Sequence, residues 1–256
     1  MKFTVKAKKH LGQHFLNDPS VAQDVALLFA QHPQKLPVLE IGPGTGVLTE
    51  FLIQNYASVS AVEIDTESVA YLNTHFVPRG LNLIGGDFLK PHFDLSKIAN
   101  DMLIIGNFPY NISSQIVFKI LDNIEHVQGF GGMFQKEVAE RLVAKEGSKT
   151  YGILSVLLNA YYDSAYAFTV GPEKFTPPPK VQTGVIKCVR KANVVLPCGK
   201  ALFFEVVKAA FNQRRKTLRN ALHKFNLHES HEFAKLRAEQ LSVQDFIKLT
   251  QFIEQQ

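Results

Sequence analysis

Seven residues, EIGPGTG (40–46), constrain this 256-residue chain more than any others. The apolar run LPVLEI (36–41) leads into them and reads as a buried strand, and Thr45 to Asn55 reads as the helix that follows. Glycines at a strand-to-helix turn let the backbone approach a ligand without a Cβ in the way. Here they fall at Gly42, Gly44 and Gly46, followed by Val47. A dinucleotide fingerprint carries its third glycine one position later, and no Gly-Lys-Ser/Thr follows. The turn therefore suits a ligand that brings no pyrophosphate to be cradled.

The pattern around the turn predicts the fold class. SVSAVEI (58–64), LNLIGGDF (81–88), DMLIIGNFPY (101–110) and GFGGMFQ (129–135) carry further strands. Between them TESVAYLNTHF (66–76) and NISSQIVFKIL (111–121) read as helices. This alternation predicts a parallel sheet with helices on both faces. EVAERLVAK and TYGILSVLLNAYY supply two more helices. Tyr166–Val170 and Val181–Val189 then read as a hairpin at the sheet edge around a proline-rich loop, bringing the strands to seven. ANVVLPCGK (192–200) reads as a linker. Beyond it Phe203, Val207, Phe211, Leu218, Leu222 and Phe225 recur at helical spacing, and FAKLRAEQL and VQDFIKLTQFI continue that pattern. The expectation is an α/β domain over 1–192, with residues 1–18 as a flexible arm, and a small all-α domain over 193–256.

Strand C-termini are the rim on which such sheets bind ligands, and two acids fall there. Glu63 closes the second strand, 21 positions after Gly42. An acid at that place accepts hydrogen bonds from the ribose hydroxyls of a nucleoside. Asp87 closes the third strand, where a carboxylate can accept from an adenine amino group, and Phe88 can pack on the ring. The ligand implied is an adenosine derivative. An acidic pocket tolerates a sulfonium better than a phosphate, which points to S-adenosylmethionine rather than NAD or ATP.

The fourth strand delivers NFPY (107–110) to the same rim. An exocyclic amine of adenine or cytosine is a poor nucleophile, because its lone pair is delocalised into the ring. The Asn107 side-chain oxygen and the Pro109 carbonyl are two acceptors for its N–H hydrogens, so the corner can aim the lone pair by orientation and electrostatics alone. Pro109 fixes the backbone that carries the carbonyl. Tyr110 offers a ring on which an extruded base stacks.

Charge points to a polyanionic partner. The net charge is +5, but residues 1–10 hold Lys2, Lys6, Lys8 and Lys9 with no acid, and residues 200–225 hold seven basic residues against Glu205. Two basic segments on a mildly acidic body are the footprint of nucleic-acid binding. On a continuous helix Lys208, Asn212, Arg215 and Arg219 share one stripe beside the apolar one. Arg214 falls among the apolar positions, which calls for a buried pair or a snorkelling stem. Cys188 and Cys198 have neither CxxC spacing nor a Cys/His cluster, so no metal is predicted. No apolar run approaches the ~20 residues of a membrane span, and the N-terminus lacks a signal-peptide pattern.

In combination GQHFL, EIGPGTG, VEID, GDFL, NFPYNISS, GSKTYGILSV, FTPPPKVQT and FNQRRKTLRNAL resemble the ribosomal RNA adenine dimethyltransferases, most closely the branch that modifies two adjacent adenines near the 3′ end of 16S rRNA. The resemblance spans nearly the whole chain. It implies a Rossmann-like class I S-adenosylmethionine-dependent methyltransferase fold with a mostly parallel seven-stranded sheet and a helical C-terminal domain. It implies that His14 and Leu16 cover the cofactor, that Gly42, Gly44 and Gly46 line it, and that Glu63 holds the ribose and Asp87 the adenine. Asn107 then reaches both cofactor and target amine, and Phe175, which opens FTPPPKVQT, stacks opposite Tyr110. Asn is commoner than His at position 14, Phe108 stands where Leu or Ile is frequent, and Thr183 replaces a Ser. Lys208, Arg215 and Arg219 are expected to meet the RNA. The expected setting is cytoplasmic, as a monomer on 16S rRNA within the small subunit, with no membrane. Three alternatives stay open: a large-subunit rRNA dimethylase of the antibiotic-resistance type, a DNA-adenine or protein-glutamine methyltransferase, and a non-catalytic assembly factor.

Overall fold

The computed structural model describes residues 5–192 and 194–256. Lys2 of the basic N-terminus and Asn193 of the linker lie outside that range. Contacts divide the chain into two compact units, one of residues 1–139 with 165–190 and one of residues 140–164 with 191–256. The expected boundary at 192/193 falls close to one crossing of the chain, but it assigns residues 140–164 to the sheet domain. Their apolar side chains pack instead with the C-terminal helices.

The sheet holds seven strands, β2 (Val38–Ile41), β3 (Val59–Glu63), β4 (Leu81–Gly85), β5 (Met102–Asn107), β6 (Val127–Gln135), β7 (Tyr162–Val170) and β9 (Thr183–Arg190). Their order across the sheet is β4–β3–β2–β5–β6–β9–β7. β2 to β6 pair in parallel, and β9 runs antiparallel to β6. Strand order reverses at β2, between β3 and β5, so the ends of β2, β3, β4 and β5 open onto one crevice. β2 and β3 are buried along their whole length. This explains their mostly apolar sequence, broken only by the buried Glu40, Ser60 and Glu63: helices cover both faces of a parallel sheet. The covering helices include α2 (Val47–Asn55), α3 (Thr66–His75) and α4 (Ser113–Asp122). Leu48, Leu52 and Leu72 from α2 and α3 join Val38, Val59 and Leu103 in one core.

One helix was not anticipated. α1 (Pro19–Ala26) begins at Asp18, whose carboxylate accepts from the Ser20 and Val21 amides, with Pro19 in the first turn. Asp-Pro-Ser was a legible helix start. The described part of the arm before it, from Lys8 on, is docked. Two-residue strands β1 (Phe15–Leu16) and β8 (Phe175–Thr176) pair antiparallel, and Asp18 Oδ2 takes the Lys174 ammonium at 2.5 Å. The expectation of a loose arm weighed its polarity and terminal position and did not include these partners.

α5 (Lys136–Leu142) follows β6, and in the second unit α6 (Ile153–Tyr161), α7 (Lys200–Asn212) and α9 (Val243–Glu254) pack together. The Phe211 ring lies 5.9 Å from Tyr151 and 5.8 Å from Phe246. The continuous basic helix does not form. α7 stops at Asn212, with Gln213 at φ −120° and ψ 53°, and α8 (Leu218–Ala221) restarts separately. The Leu218 amide donates to the Leu236 carbonyl at 2.7 Å and the Arg219 amide to the Ala234 carbonyl at 3.0 Å. Those bonds satisfy donors that the first turn of α8 leaves open. They also hold 233–236 as turns, so FAKLRAEQL is not the expected α-helix and only Ala238–Gln240 forms a 3-10 turn. The break turns Arg214 outward, where it donates to the Lys149 carbonyl at 2.8 Å and stands 4.0 Å from Glu239.

Candidate active site

The glycine corner is held by Glu63. Its Oε2 accepts from the Gly44 amide at 3.0 Å, and its Oε1 accepts from the Asp65 amide at 2.8 Å. Burial raises the Glu63 carboxyl above its ordinary value, and these amide bonds oppose the rise. Gly44 sits at φ +57°, and a Cβ there would stand 2.7 Å from the Phe15 ring. The turn thus has room for glycine alone, with Phe15 on one side and the crevice on the other. Gly46 differs from the expectation. It caps α2 at φ 81°, and a Cβ there would meet the Phe76 ring at 2.3 Å. It serves helix–core packing and does not line the cleft.

The cleft holds about 910 Å³ when the space out to its open mouth is included, and about 180 Å³ of enclosed space. His14, Gly42, Gly44, Glu63, Asp87 and Phe88 line it, as do Asn107, Pro109 and Tyr110. The structure thus brings together most of the residues that the sequence nominated. With Gly46, Leu16 and Phe175 are the exceptions among the nominated catalytic and cofactor residues. Leu16 is 5% exposed and Phe175 2%, and both belong to the core. Their pairing across β1 and β8 turns them inward, so Phe175 does not face Tyr110 across the cleft. Leu16 lines a small neighbouring cavity beside Glu40 and Asn107.

At the far end of the cleft, Asn107 Nδ2 donates to the His14 carbonyl at 2.8 Å. A carbonyl only accepts, so this bond assigns the amide orientation and leaves Oδ1 free. His14 is itself anchored, with Nδ1 2.7 Å from the Pro177 carbonyl and its ring 5.4 Å from that of Tyr110. The Tyr110 hydroxyl bonds the Thr183 hydroxyl at the start of β9, and Thr183 is fully buried. Burial raises the Tyr110 phenol, with the Thr183 bond opposing. The ring is therefore a neutral plate fixed at its far end.

Three residues escaped the sequence reading. Ile64 lines the cleft and is 50% exposed, an apolar side chain left open beside the ribose acid. Asp65 caps α3 through the Glu67 amide and takes the Lys8 ammonium. Burial alone would raise its carboxyl, but the Lys8 and Gln13 hydrogen bonds outweigh it and the value is lowered. Glu40, buried at the end of β2, accepts from Thr49 Oγ1 at 2.6 Å, and burial pushes it up to about 8. The one available signal was an acid inside an otherwise apolar strand.

Among the described residues, no lysine or arginine lines the cleft. That lining suits a nucleoside carrying a cation and disfavours a polyphosphate.

A family model described as ribosomal RNA adenine dimethylase matches residues 4–255. The chain belongs to the ribosomal RNA adenine dimethylase family. It is 54% identical to the ribosomal RNA small subunit methyltransferase A of Flavobacterium johnsoniae over 98% of this chain and 97% of that one. With the protein of the same name from Bacteroides fragilis it shares 51% over 98% and 93%. A crystal structure of a dimethyladenosine transferase from Plasmodium falciparum superposes with a TM-score of 0.80 at 25% identity, covering 94% of this chain and 98% of that one. The 23S rRNA methyltransferase ErmE, at 21% identity and TM-score 0.69 over 93% and 99%, shares the fold. The likeness to class I methyltransferases matches the expected fold, and this dimethylase-family chain carries its glycine turn, its acids and NFPY on one rim of that fold. The basic residues nominated for RNA lie in the second unit. Lys208 is on α7, Arg215 is exposed in the 213–217 turn, and Arg219 on α8 is paired with Glu229 at 2.8 Å. No helix among the described residues is long and apolar enough to cross a membrane.

Proposed function

We propose that this chain dimethylates N6 of two adjacent adenosines near the 3′ end of 16S rRNA, using S-adenosylmethionine. It acts on the small ribosomal subunit as a monomer in the cytoplasm. The observation that carries the reading is the one cleft in which Glu63, Asp87, Asn107, Pro109 and Tyr110 converge with no lysine or arginine among the described residues that line it.

S-adenosylmethionine, when bound, supplies an electrophilic methyl group on a sulfonium. Glu63 and Asp87 hold its ribose and adenine, and Gly42 and Gly44 allow close approach of the backbone. The target adenine stacks on Tyr110, held by Thr183. Asn107 Oδ1 and the Pro109 carbonyl accept the amine hydrogens and direct the nitrogen lone pair, which contributes orientation rather than proton abstraction. As the N–C bond formed, the S–C bond of the sulfonium would break, S-adenosylhomocysteine would leave as the neutral thioether, and the positive charge passed to the amine would be stabilised by the two oxygens. One amine proton is then released to solvent. For the second transfer one N–H remains, so one acceptor is enough and the other leaves space for the first methyl group.

Methyl transfer from labelled S-adenosylmethionine tests the reading, with unmethylated small subunits, naked small-subunit RNA and naked large-subunit RNA as substrates and nucleoside digestion as readout. Dimethyladenosine on subunits, absent with Asn107→Ala, is the expected result. Product on naked large-subunit RNA would assign the chain to the resistance-type branch. Subunit binding without product would favour an assembly factor. Sedimentation of the protein with and without subunits checks the monomer.

A further inference from the structure

The adenine end of the cleft is built on a segment with little backbone support. Residues 86–94 form neither helix nor strand. Within them the Leu89 amide bonds Asp87 Oδ1 at 2.9 Å, and the Phe93 amide bonds the Lys90 carbonyl at 3.1 Å. The Gly86 amide bonds the Glu63 carbonyl at 2.8 Å and ties the start of the segment to β3, but the local turns after it do not fix where Phe88 to Phe93 stand against the sheet. Yet Asp87 and Phe88 must stand in a defined place if they are to receive an adenine.

Lys119 on α4 supplies a restraint further along the segment. Its ammonium lies 5.1 Å from the Phe88 ring centroid and 5.2 Å from that of Phe93. The two rings are 5.4 Å apart, inclined at 59°. Lys119 Nζ also donates to the Lys90 carbonyl at 2.8 Å. One side chain therefore grips the segment at three points. Lys119 does not line the cleft and acts on it only through Phe88, which does. Burial lowers its pKa, and the charges of Asp87 and Asp94 oppose that shift. A cation partly removed from water gains more from aromatic faces than an exposed one. The same helix begins just after NFPY, so the adenine wall is tied to the element that carries the target corner.

We propose that Lys119 is a positioning residue for the cofactor, its ammonium caged by Phe88 and Phe93 so that the Asp87–Phe88 wall is set where the adenine of S-adenosylmethionine packs. The proposal rests on the cofactor reading above. Ordinary packing of a helix against a loop makes a different prediction. Lys119→Met keeps the length and the apolar contact and removes only the charge and the hydrogen bond, so under that account affinity would not change.

The test is titration calorimetry of S-adenosylmethionine into the wild type, Lys119→Met and Lys119→Arg, with steady-state kinetics on small subunits and thermal melts. Lys119→Met is expected to raise Kd and KM for S-adenosylmethionine about five- to tenfold with kcat nearly unchanged. Lys119→Arg, which keeps a cation over the rings, is expected to recover most of that loss. Equal Kd in wild type and Lys119→Met, a fall in kcat at unchanged KM, or an Arg variant no better than Met would each overturn the proposal. If Lys119→Met does not fold, Phe93→Leu removes one ring of the cage without touching the cleft; a raised Kd supports the proposal and an unchanged one overturns it. A wild type that binds no S-adenosylmethionine would sink the cofactor reading itself, and this inference with it.

Discussion

Asn107 donates its amide hydrogen to the backbone carbonyl of His14, 93 positions earlier in the chain. The residue expected to aim the target amine is thus oriented by the N-terminal arm. The arm is also tied to the opposite end of the cleft, where Lys8 pairs with Asp65 and stands 3.2 Å from Glu67. Cofactor end and target end share one covering segment.

Asn107→Asp tests the orientation. It would set an acceptor oxygen against the His14 carbonyl and add a negative charge, turning the side chain away from its place. We expect a loss of about 10²–10³ in the single-turnover rate, the scale of removing one preorganised polar contact, with cofactor affinity much less affected. A variant within threefold of wild type would contradict the orientation account.

Lys8→Met should loosen the arm. Asp65 raises the Lys8 pKa through its hydrogen bond, and the pair is lost in the variant. Hydrogen exchange at the amides of Leu11 and Gly12, bonded in the docked arm, should accelerate several-fold, and added salt should accelerate the wild type in the same direction. Exchange that ignores both changes would mean that the β1–β8 pairing holds the arm alone.

Thr183→Val removes the hydroxyl that fixes Tyr110 and keeps the shape. The second methylation has one N–H fewer to orient the amine and depends more on stacking. Monomethyladenosine should therefore accumulate, with the second step slowed about tenfold, the low end of a base–aromatic contact; Thr183→Ser should behave as wild type. Nucleoside analysis of timed reactions reads this directly, and an unchanged mono-to-dimethyl ratio in Thr183→Val would argue against it.

Glu40 makes stability depend on pH. Its folded value, about 8, lies above the ordinary 4.5, so between those values the native state holds a proton that the unfolded chain has released. Stability from this group is present below pH 4.5 and is lost as pH rises toward 8, with an upper bound of about 5 kcal/mol at ~1.4 kcal/mol per unit. Glu40→Gln, which can still accept from Thr49, should flatten that part of a melting-temperature profile and be relatively more stable at pH 8. Parallel profiles would exclude the effect.

Arg215 and Arg219 should not be equivalent toward RNA. Arg219 is engaged by Glu229, and Arg215 stands exposed in the turn. Arg215→Ala should reduce the salt slope of RNA binding by about one unit, and Arg219→Ala by less. Equal slopes for the two variants would remove the distinction.

The sequence by itself determined the sheet and its rim. Period and strand length identify β2, β3 and β5, and turn chemistry identifies Gly42 and Gly44. Strand ends place Glu63, Asp87 and NFPY together, because a parallel sheet has its connections at fixed ends. These are local signals, and they held wherever local energetics decide the outcome. Only the tertiary structure decided where the long-range partners lie. Periodicity extended one helix through Lys208 and Arg219, but the carbonyls of Ala234 and Leu236 capture the start of α8, and the helix ends at Asn212. Motif likeness put Phe175 opposite Tyr110, but pairing with Leu16 turns it into the core. The arm read as loose because Lys8, His14 and Asp18 find Asp65, Asn107 and Lys174 from 57 to 156 positions away. Each outcome turns on a hydrogen bond, ion pair or strand register between segments far apart in the chain. Periodicity does not encode such pairings, because they depend on which backbone groups the rest of the fold leaves open.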